Sequence, residues 1–148
     1  MSETATEAKP AEKAKSKSLG LEDFYTKDAA NEGVKVPLYW PDGKKSDFWL
    51  LVAGVDSDVY TQAKTKLDRY AMTAYKGLED DEAQSIHLGK VTELKASCVL
   101  DWNMRDNDGN DVAFTFENVV KLLDKAPQLM KEIDDVIYDR TQFIKKKS

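Results

Sequence analysis

The feature that most constrains the fold is a pair of apolar helical patterns in the last third of the chain, joined at Ala126 and Pro127. Thr115 can cap the first helix, because its hydroxyl can accept a hydrogen bond from an unpaired backbone N–H. Pro127 disfavours a helical Ala126 and suits the first position of a new helix. We therefore predict two short amphipathic helices, over residues 115–125 and 127–145. The apolar face of the first consists of Phe116, Val119, Val120 and Leu123.

A β-hairpin is predicted earlier in the chain, over about residues 34–53. Apolar residues alternate with other residues from Val34 to Trp40, which is typical of a half-buried strand. Pro37 lacks the N–H that a central strand needs, so this strand should lie at the edge of a sheet. The turn is supplied by Pro41-Asp42-Gly43, because proline presets φ and glycine accepts the left-handed conformation.

Two longer helices are predicted between the hairpin and the C-terminal pair. Asp56 or Ser57 can cap a helix over residues 57–76, and Gly77 is suited to end it. A second helical pattern follows over residues 80–100. The predicted fold class is thus α+β and mainly α, with an N-terminal β-hairpin followed by about four helices.

The N-terminal residues 1–18 form a tail of different composition. After the initiator methionine this segment has no large apolar residue, so it cannot offset its ordering entropy and is predicted to be disordered. The remaining residues, 19–148, are predicted to form a single domain. Its first apolar residues should form a short helical turn laid on the core; they are Leu19, Leu21, Phe24 and Tyr25.

Composition narrows the classes of partner. The chain has 148 residues and a formal net charge of -5, whereas a nucleic-acid partner would require a basic face. No apolar run approaches the ~20 residues of a membrane span, and the N-terminus lacks the apolar segment of a secretory signal. Cys98 is the one cysteine, so no internal disulfide can form. We expect a protein that is made and used inside a cell, without nucleic-acid or membrane partners.

No pattern of residues predicts catalysis, and we expect no enzymatic activity, catalytic residue, metal or cofactor. The segment from Asp106 to Gly109 resembles a calcium loop, but that alignment places Met104 and Thr115 where acidic ligands are needed. His87 and Cys98 would lie roughly 16 Å apart along one helix, too far for a metal site or a catalytic dyad. The many carboxylates leave an acid–base role open as a minor alternative.

Several short patterns follow one another in order along the chain. They are G-V-D-S-D-V-Y from Gly54, W-N at Trp102, D-G at Asp108, T-F-E-N-V from Thr115, A-P-x-L from Ala126 and I-D-D-V-I-Y-D-R-x-x-F ending at Phe143. In their order and spacing these patterns resemble the tail assembly chaperones of long-tailed bacteriophages. The resemblance does not extend to the N-terminal tail.

The resemblance implies a function in virus assembly. Proteins of that family bind the long helical tape measure protein and keep it soluble while tail tube subunits polymerise around it. They act in the host cytoplasm and are absent from the finished virion. Further candidate partners are the tail tube protein and a second copy of the chain. The alternative is a minor structural tail or connector protein that stays in the virion.

The candidate partner-binding surface lies mainly on the last helix. This helix carries apolar residues over more than one narrow face, which exceeds what a small core can cover. Core packing is the alternative, and it is favoured for Ile133 and Ile137 and also for Trp102. The candidate residues are Leu129, Ile133, Val136, Ile137, Phe143, Ile144 and Trp102.

The lysines at 145–147 allow two interpretations. Relatives of the resembled family are often made in two lengths through a −1 ribosomal frameshift, and lysine codons are A-rich, as a slippery sequence requires. The other interpretation is that a basic run stabilises the C-terminal end of a helix through its dipole, and it is favoured because it needs nothing else.

Overall fold

Helices make up most of the regular structure in the computed structural model, which describes residues 18–144. The helices are α1 (Lys27–Glu32), α2 (Asp58–Ala74), α3 (Asp80–Cys98), α4 (Phe116–Lys125) and α5 (Pro127–Ile137). The strands are β1 (Val34–Tyr39), β2 (Lys45–Val52) and β3 (Val99–Trp102), and 3-10 helices span Leu21–Phe24 and Arg140–Phe143. The predicted fold class, α+β and mainly α, is confirmed.

The predicted hairpin forms the first two strands of an antiparallel sheet with the order β1-β2-β3. Gly43 closes the turn with φ of 92°, and its N–H donates to the Trp40 carbonyl at 2.8 Å. Trp40 donates in turn to the Lys44 carbonyl at 2.8 Å. Pro37 in β1 lies opposite Trp49 in β2, and β1 is an edge strand as predicted.

The third strand was not predicted and corrects the bounds of the helix expected over residues 80–100. Helix α3 ends at Cys98, and the next four residues pair with β2 as strand β3. The Ala53 N–H donates to the Cys98 carbonyl at 2.8 Å, at the point where the helix becomes a strand. The backbone groups at the second edge of strand β2 need hydrogen-bond partners. Pairing with this edge is therefore favoured over continuing the helix beyond Cys98.

One core joins the sheet to helices α3, α4 and α5. Helix α5 places Leu129, Ile133 and Ile137 in it, at the four-residue spacing of one helical face. Burying each such side chain stabilises the fold by about 1.5–3 kcal/mol. The largest fully buried apolar side chains are Phe143, Leu50, Leu123, Ile133, Ile137, Val52 and Val119.

Both ends of the described chain depart from the predictions. The helix expected over residues 127–145 ends at Ile137, and the chain resumes as a 3-10 helix. A helical turn does form at Leu21–Phe24, but its apolar side chains are exposed and do not lie on the core. The core contact is made instead by the following short helix, whose Ala30 is buried and accepts a hydrogen bond from the Gly54 N–H at 3.1 Å. The lysine run at 145–147 and the predicted tail, apart from Ser18, lie outside the described residues.

Candidate functional site

The candidate partner-binding residues of the C-terminal region lie mostly inside the protein. Val136 is half-buried against the core, and Ile144 is 59% exposed. The other candidates are buried, namely Leu129, Ile133, Ile137, Phe143 and Trp102. This corrects the expectation of an exposed apolar stripe on the last helix, and it agrees with the core alternative for Ile133, Ile137 and Trp102.

The reason for this burial is that the C-terminal segment folds back over the sheet and the start of α2. The Val55 N–H donates to the Ile137 carbonyl at 2.9 Å, which fixes the end of α5. Phe143 lies so close to Gly54 that a Cβ built on that glycine would be 2.9 Å from the ring. Trp102 is held by its indole N–H, which donates to the Val112 carbonyl at 2.9 Å. The apolar side chains that were predicted to contact a partner are therefore buried by contacts within the protein.

A polar cluster lies at the junction of α3 and α5, with Lys95 as its buried member and Tyr138 45% exposed. The Lys95 ammonium is 2.9 Å from the Tyr138 hydroxyl, 2.5 Å from Asp134 Oδ1 and 4.3 Å from the centre of the Tyr138 ring. The Lys95–Asp134 contact is a salt bridge between α3 and α5. The hydroxyls of Tyr60 and Tyr138 lie 2.9 Å apart.

The chemistry of this cluster is that of a packed ion pair. Burial and the hydrogen bond with Tyr138 raise the pKa of Tyr60 to about 12. Burial also raises the pKa of the nearby Cys98 thiol to about 12. At neutral pH both groups are therefore protonated, and the thiol is a poor nucleophile. The cluster ties α2, α3 and the end of α5 together.

A groove of about 250 Å³ lies between α2 and α3 and is closed at one side by the start of α4. We name it the α2–α3 groove. Leu67 and Leu94 are its buried members. Two half-exposed aromatic rings, Tyr70 at 36% and Phe116 at 50%, stand at its edge. The other lining residues are Ala63, Lys66, Lys90, Glu93 and Ser97.

Local sequence signals place each wall of this groove. Ser57 begins α2, since its hydroxyl accepts a hydrogen bond from the Tyr60 N–H at 3.2 Å. Thr115 begins α4 in the same way, with the Asn118 N–H at 3.1 Å, and both caps are as predicted. Because α4 starts there, its first residue, Phe116, stands at the mouth of the groove.

Charge is distributed unevenly around the groove. The Lys90 ammonium lies 4.5 Å from the centre of the Tyr70 ring and 3.3 Å from a Glu93 carboxylate oxygen. The second lysine, Lys66, is exposed and has no ion pair among the residues that the structure describes. The groove therefore combines an apolar floor with two lysines and one glutamate at its rim, in a chain whose net charge is acidic.

A second hollow, of about 530 Å³, lies between α1 and the last described residues. Ile144 lines it, together with the acidic residues Asp28 and Glu32. The rest of its lining is mixed, with Asn31 and Gln142 among the polar residues and Ala29 and Val34 among the apolar ones. Among the described residues that line this hollow, two are acidic and none is basic, whereas the α2–α3 groove has Lys66 and Lys90.

No pattern in the sequence predicted this groove, and the residues that line it were expected only to lie on helices. A partial signal was present in α2, which has a small residue, Ala63, one turn before Leu67. Ala63 and Leu67 both line the groove, and the short alanine side chain leaves space there.

The comparisons with known proteins identify no relative. No family model, no curated protein and no solved structure matches the chain. None of the helices within residues 18–144 is long and apolar enough to cross a membrane. Within the same residues, no cluster of three or more His, Cys, Asp or Glu side chains is arranged to hold a metal ion.

Proposed function

We propose that this protein is an assembly chaperone that binds an amphipathic helix of its partner in the α2–α3 groove. The observation that carries the proposal is the pair of half-exposed aromatic rings, Tyr70 and Phe116, beside an apolar floor. A helix can be held in such a groove by apolar anchors spaced at i, i+3 or i+4, and i+7. Aromatic side chains at the edge add contact area at low entropic cost.

The short sequence patterns specify the kind of chaperone. Because they resemble tail assembly chaperones of long-tailed bacteriophages, we infer that the partner is the tape measure protein, a long helical chain with apolar stripes. The tail tube protein is the second proposed partner. On this proposal the protein works in the host cytoplasm, leaves before the virion is complete, and requires neither catalysis nor a cofactor.

The charges at the groove add a constraint on the bound helix. Lys66 and Lys90 would attract acidic residues that flank the apolar anchors, because exposed charges steer association and discourage wrong partners. We therefore expect the preferred segment of the tape measure protein to carry Glu or Asp beside its apolar stripe.

The test is co-expression with the tape measure protein encoded in the same genome. Wild-type protein should keep that partner in the soluble fraction and co-purify with it, whereas Phe116→Asp and Tyr70→Asp should lose both effects. Trp40→Asp is the matched control, since Trp40 is also 50% exposed but lies in the hairpin, away from the groove. The proposal fails if the groove variants retain the partner as well as the control does.

The alternative, a structural component of the tail, predicts a different result. A retained component would be found in purified virions at a fixed ratio to the tail tube protein. A chaperone would be present in lysates of infected cells and absent from purified particles. Quantitative mass spectrometry of both samples distinguishes these outcomes.

A further inference from the structure

An exposed apolar ridge precedes the first α-helix. Its side chains are Leu19, Leu21, Phe24 and Tyr25, whose exposed fractions are 81%, 72%, 82% and 60%. The two aromatic rings alone offer on the order of 150–250 Å² each for burial. Contiguous apolar surface of this kind marks an interaction site on a folded protein. We name this segment, residues 19–25, the N-terminal ridge.

The N-terminal ridge has a preformed backbone conformation, held by hydrogen bonds within the segment. The Gly20 N–H donates to the Asp23 carboxylate at 2.6 Å, and the Asp23 N–H donates to the Gly20 carbonyl at 3.0 Å. In the resulting 3-10 turn, Leu21 and Phe24 are three residues apart and so project from the same side. A preformed turn loses less conformational entropy on binding than a flexible chain does.

The residue that follows the ridge anchors it to the domain. The Thr26 hydroxyl donates to the Asp56 carboxylate at 2.6 Å. Arg140 holds the same carboxylate through two hydrogen bonds, of 2.7 and 2.9 Å. The exposed ridge is therefore presented from a fixed point of the surface.

The α2–α3 groove has the complementary properties. It is apolar at its floor, and its rim carries Lys90 paired with Glu93 and the exposed Lys66, which has no ion pair among the described residues. The ridge is apolar on one side and carries Glu22 and Asp23, with no basic residue between positions 18 and 26. The acidic residues of the ridge therefore match Lys66 at the groove, which has no other ion-pair partner among the described residues.

We propose that the N-terminal ridge of one molecule docks in the α2–α3 groove of a second copy of the chain. The two surfaces are different, so the contact is head-to-tail: after one contact the first molecule still has a free groove and the second still has a free ridge. Such contacts generate closed rings or open chains of molecules. On the proposed function of this groove, self-association and partner binding exclude each other, and the partner would release the self-associated chains.

The decisive experiment mixes two variants of the full-length protein in the absence of any partner. Phe24→Asp removes the ridge and leaves the groove, whereas Phe116→Asp removes the groove and leaves the ridge. Both side chains are at least half exposed, so both variants should fold. In sedimentation velocity the wild-type protein should form species larger than dimers as concentration rises. Each variant alone should self-associate about tenfold or more weakly.

An equimolar mixture of the two variants should restore one contact and produce a dimer that grows no further. A wild-type protein that stays monomeric up to millimolar concentration would overturn the proposal. A mixture that remains monomeric would also overturn it. So would a result in which Phe24→Asp loses self-association and Phe116→Asp retains it, because that would indicate a contact between two ridges.

A charge exchange tests the orientation of the contact. Glu22→Lys and Lys66→Glu should each weaken self-association, and the two changes in one chain should restore it. Lys64→Glu is the control, since Lys64 lies on the same helix, pairs with Asp68 at 2.7 Å and does not line the groove. Failure of the double variant to recover rejects this docking. Because the tape measure protein is absent from these measurements, their failure leaves the proposed chaperone function to be judged by its own test.

Discussion

Substituting Phe143 should destabilise the protein strongly, whereas the same change at the adjacent Ile144 should have little effect. Phe143 is 2% exposed and its ring lies against the backbone of Gly54, whereas Ile144 is 59% exposed. Replacing a buried phenylalanine with alanine costs about 3–5 kcal/mol, through lost transfer free energy and the cavity that remains. The free energy of unfolding of a domain this size is about 5–15 kcal/mol, so Phe143→Ala removes a large fraction of it.

Urea denaturation followed by far-UV circular dichroism measures this difference. The alanine variants provide the free energies, and Ile144→Ala should remain within about 0.5 kcal/mol of the wild type. Phe143→Asp should be unfolded or nearly so, because it also buries a charge. Ile144→Asp should fold. If Phe143→Ala costs less than about 1 kcal/mol, the ring does not pack as described and the C-terminal segment is again a candidate partner surface.

A double-mutant cycle assigns the effect to the contact with Gly54. A Cβ at this position would lie 2.9 Å from two ring atoms of Phe143, so Gly54→Ala should cost about 1–3 kcal/mol through overpacking. In the Phe143→Ala background the added methyl group meets no ring, and its cost should largely disappear. Equal costs in both backgrounds would show that Gly54 is required for another reason.

Three further predictions follow from single side chains. Ser57→Ala should lower the free energy of unfolding by about 1 kcal/mol, because it removes the N-cap hydroxyl of α2. Hydrogen bonds from Arg140 and then Thr26 lower the pKa of Asp56, so its stabilisation is present above the unfolded pKa near 3.8 and is lost as the pH falls through the folded value. Asp56→Asn should therefore be less stable at neutral pH and depend less on pH in the acid range, measured by urea denaturation at several pH values. Cys98, whose pKa is raised to about 12, should not react with a thiol-specific chromogenic reagent at pH 8 until the protein unfolds.

The features that could be predicted from sequence are those whose causes are local. The hairpin turn at Gly43, the caps at Ser57 and Thr115 and the helix start at Pro127 each depend on one or two residues and their immediate neighbours. Hydrogen-bond geometry and steric restriction determine these features wherever the segment lies in the fold. Their positions in the structure agree with the predictions to within a residue or two.

The features that could not be predicted depend on contacts between distant parts of the chain. Strand β3 forms because β2 has a second edge to pair, and the sequence around Val99 is too short to show it. The end of α5 at Ile137 is fixed by a hydrogen bond from Val55, which lies far away in sequence. The N-terminal ridge has the apolar content expected of a core segment, yet its side chains are exposed and Ala30 of α1 makes the core contact.

The patterns that suggested a phage chaperone and the groove proposed to bind its partner occupy different parts of the fold. Thr115 and Pro127 position helices, and Phe143 fills the core, so these residues specify how the C-terminal segment packs. The groove is lined instead by residues of α2 and α3 and by Phe116, the first residue of α4. A side chain that packs in the core can carry a family resemblance without contacting a partner. Variants at Phe143 therefore test the fold, and variants at Phe116 test the function.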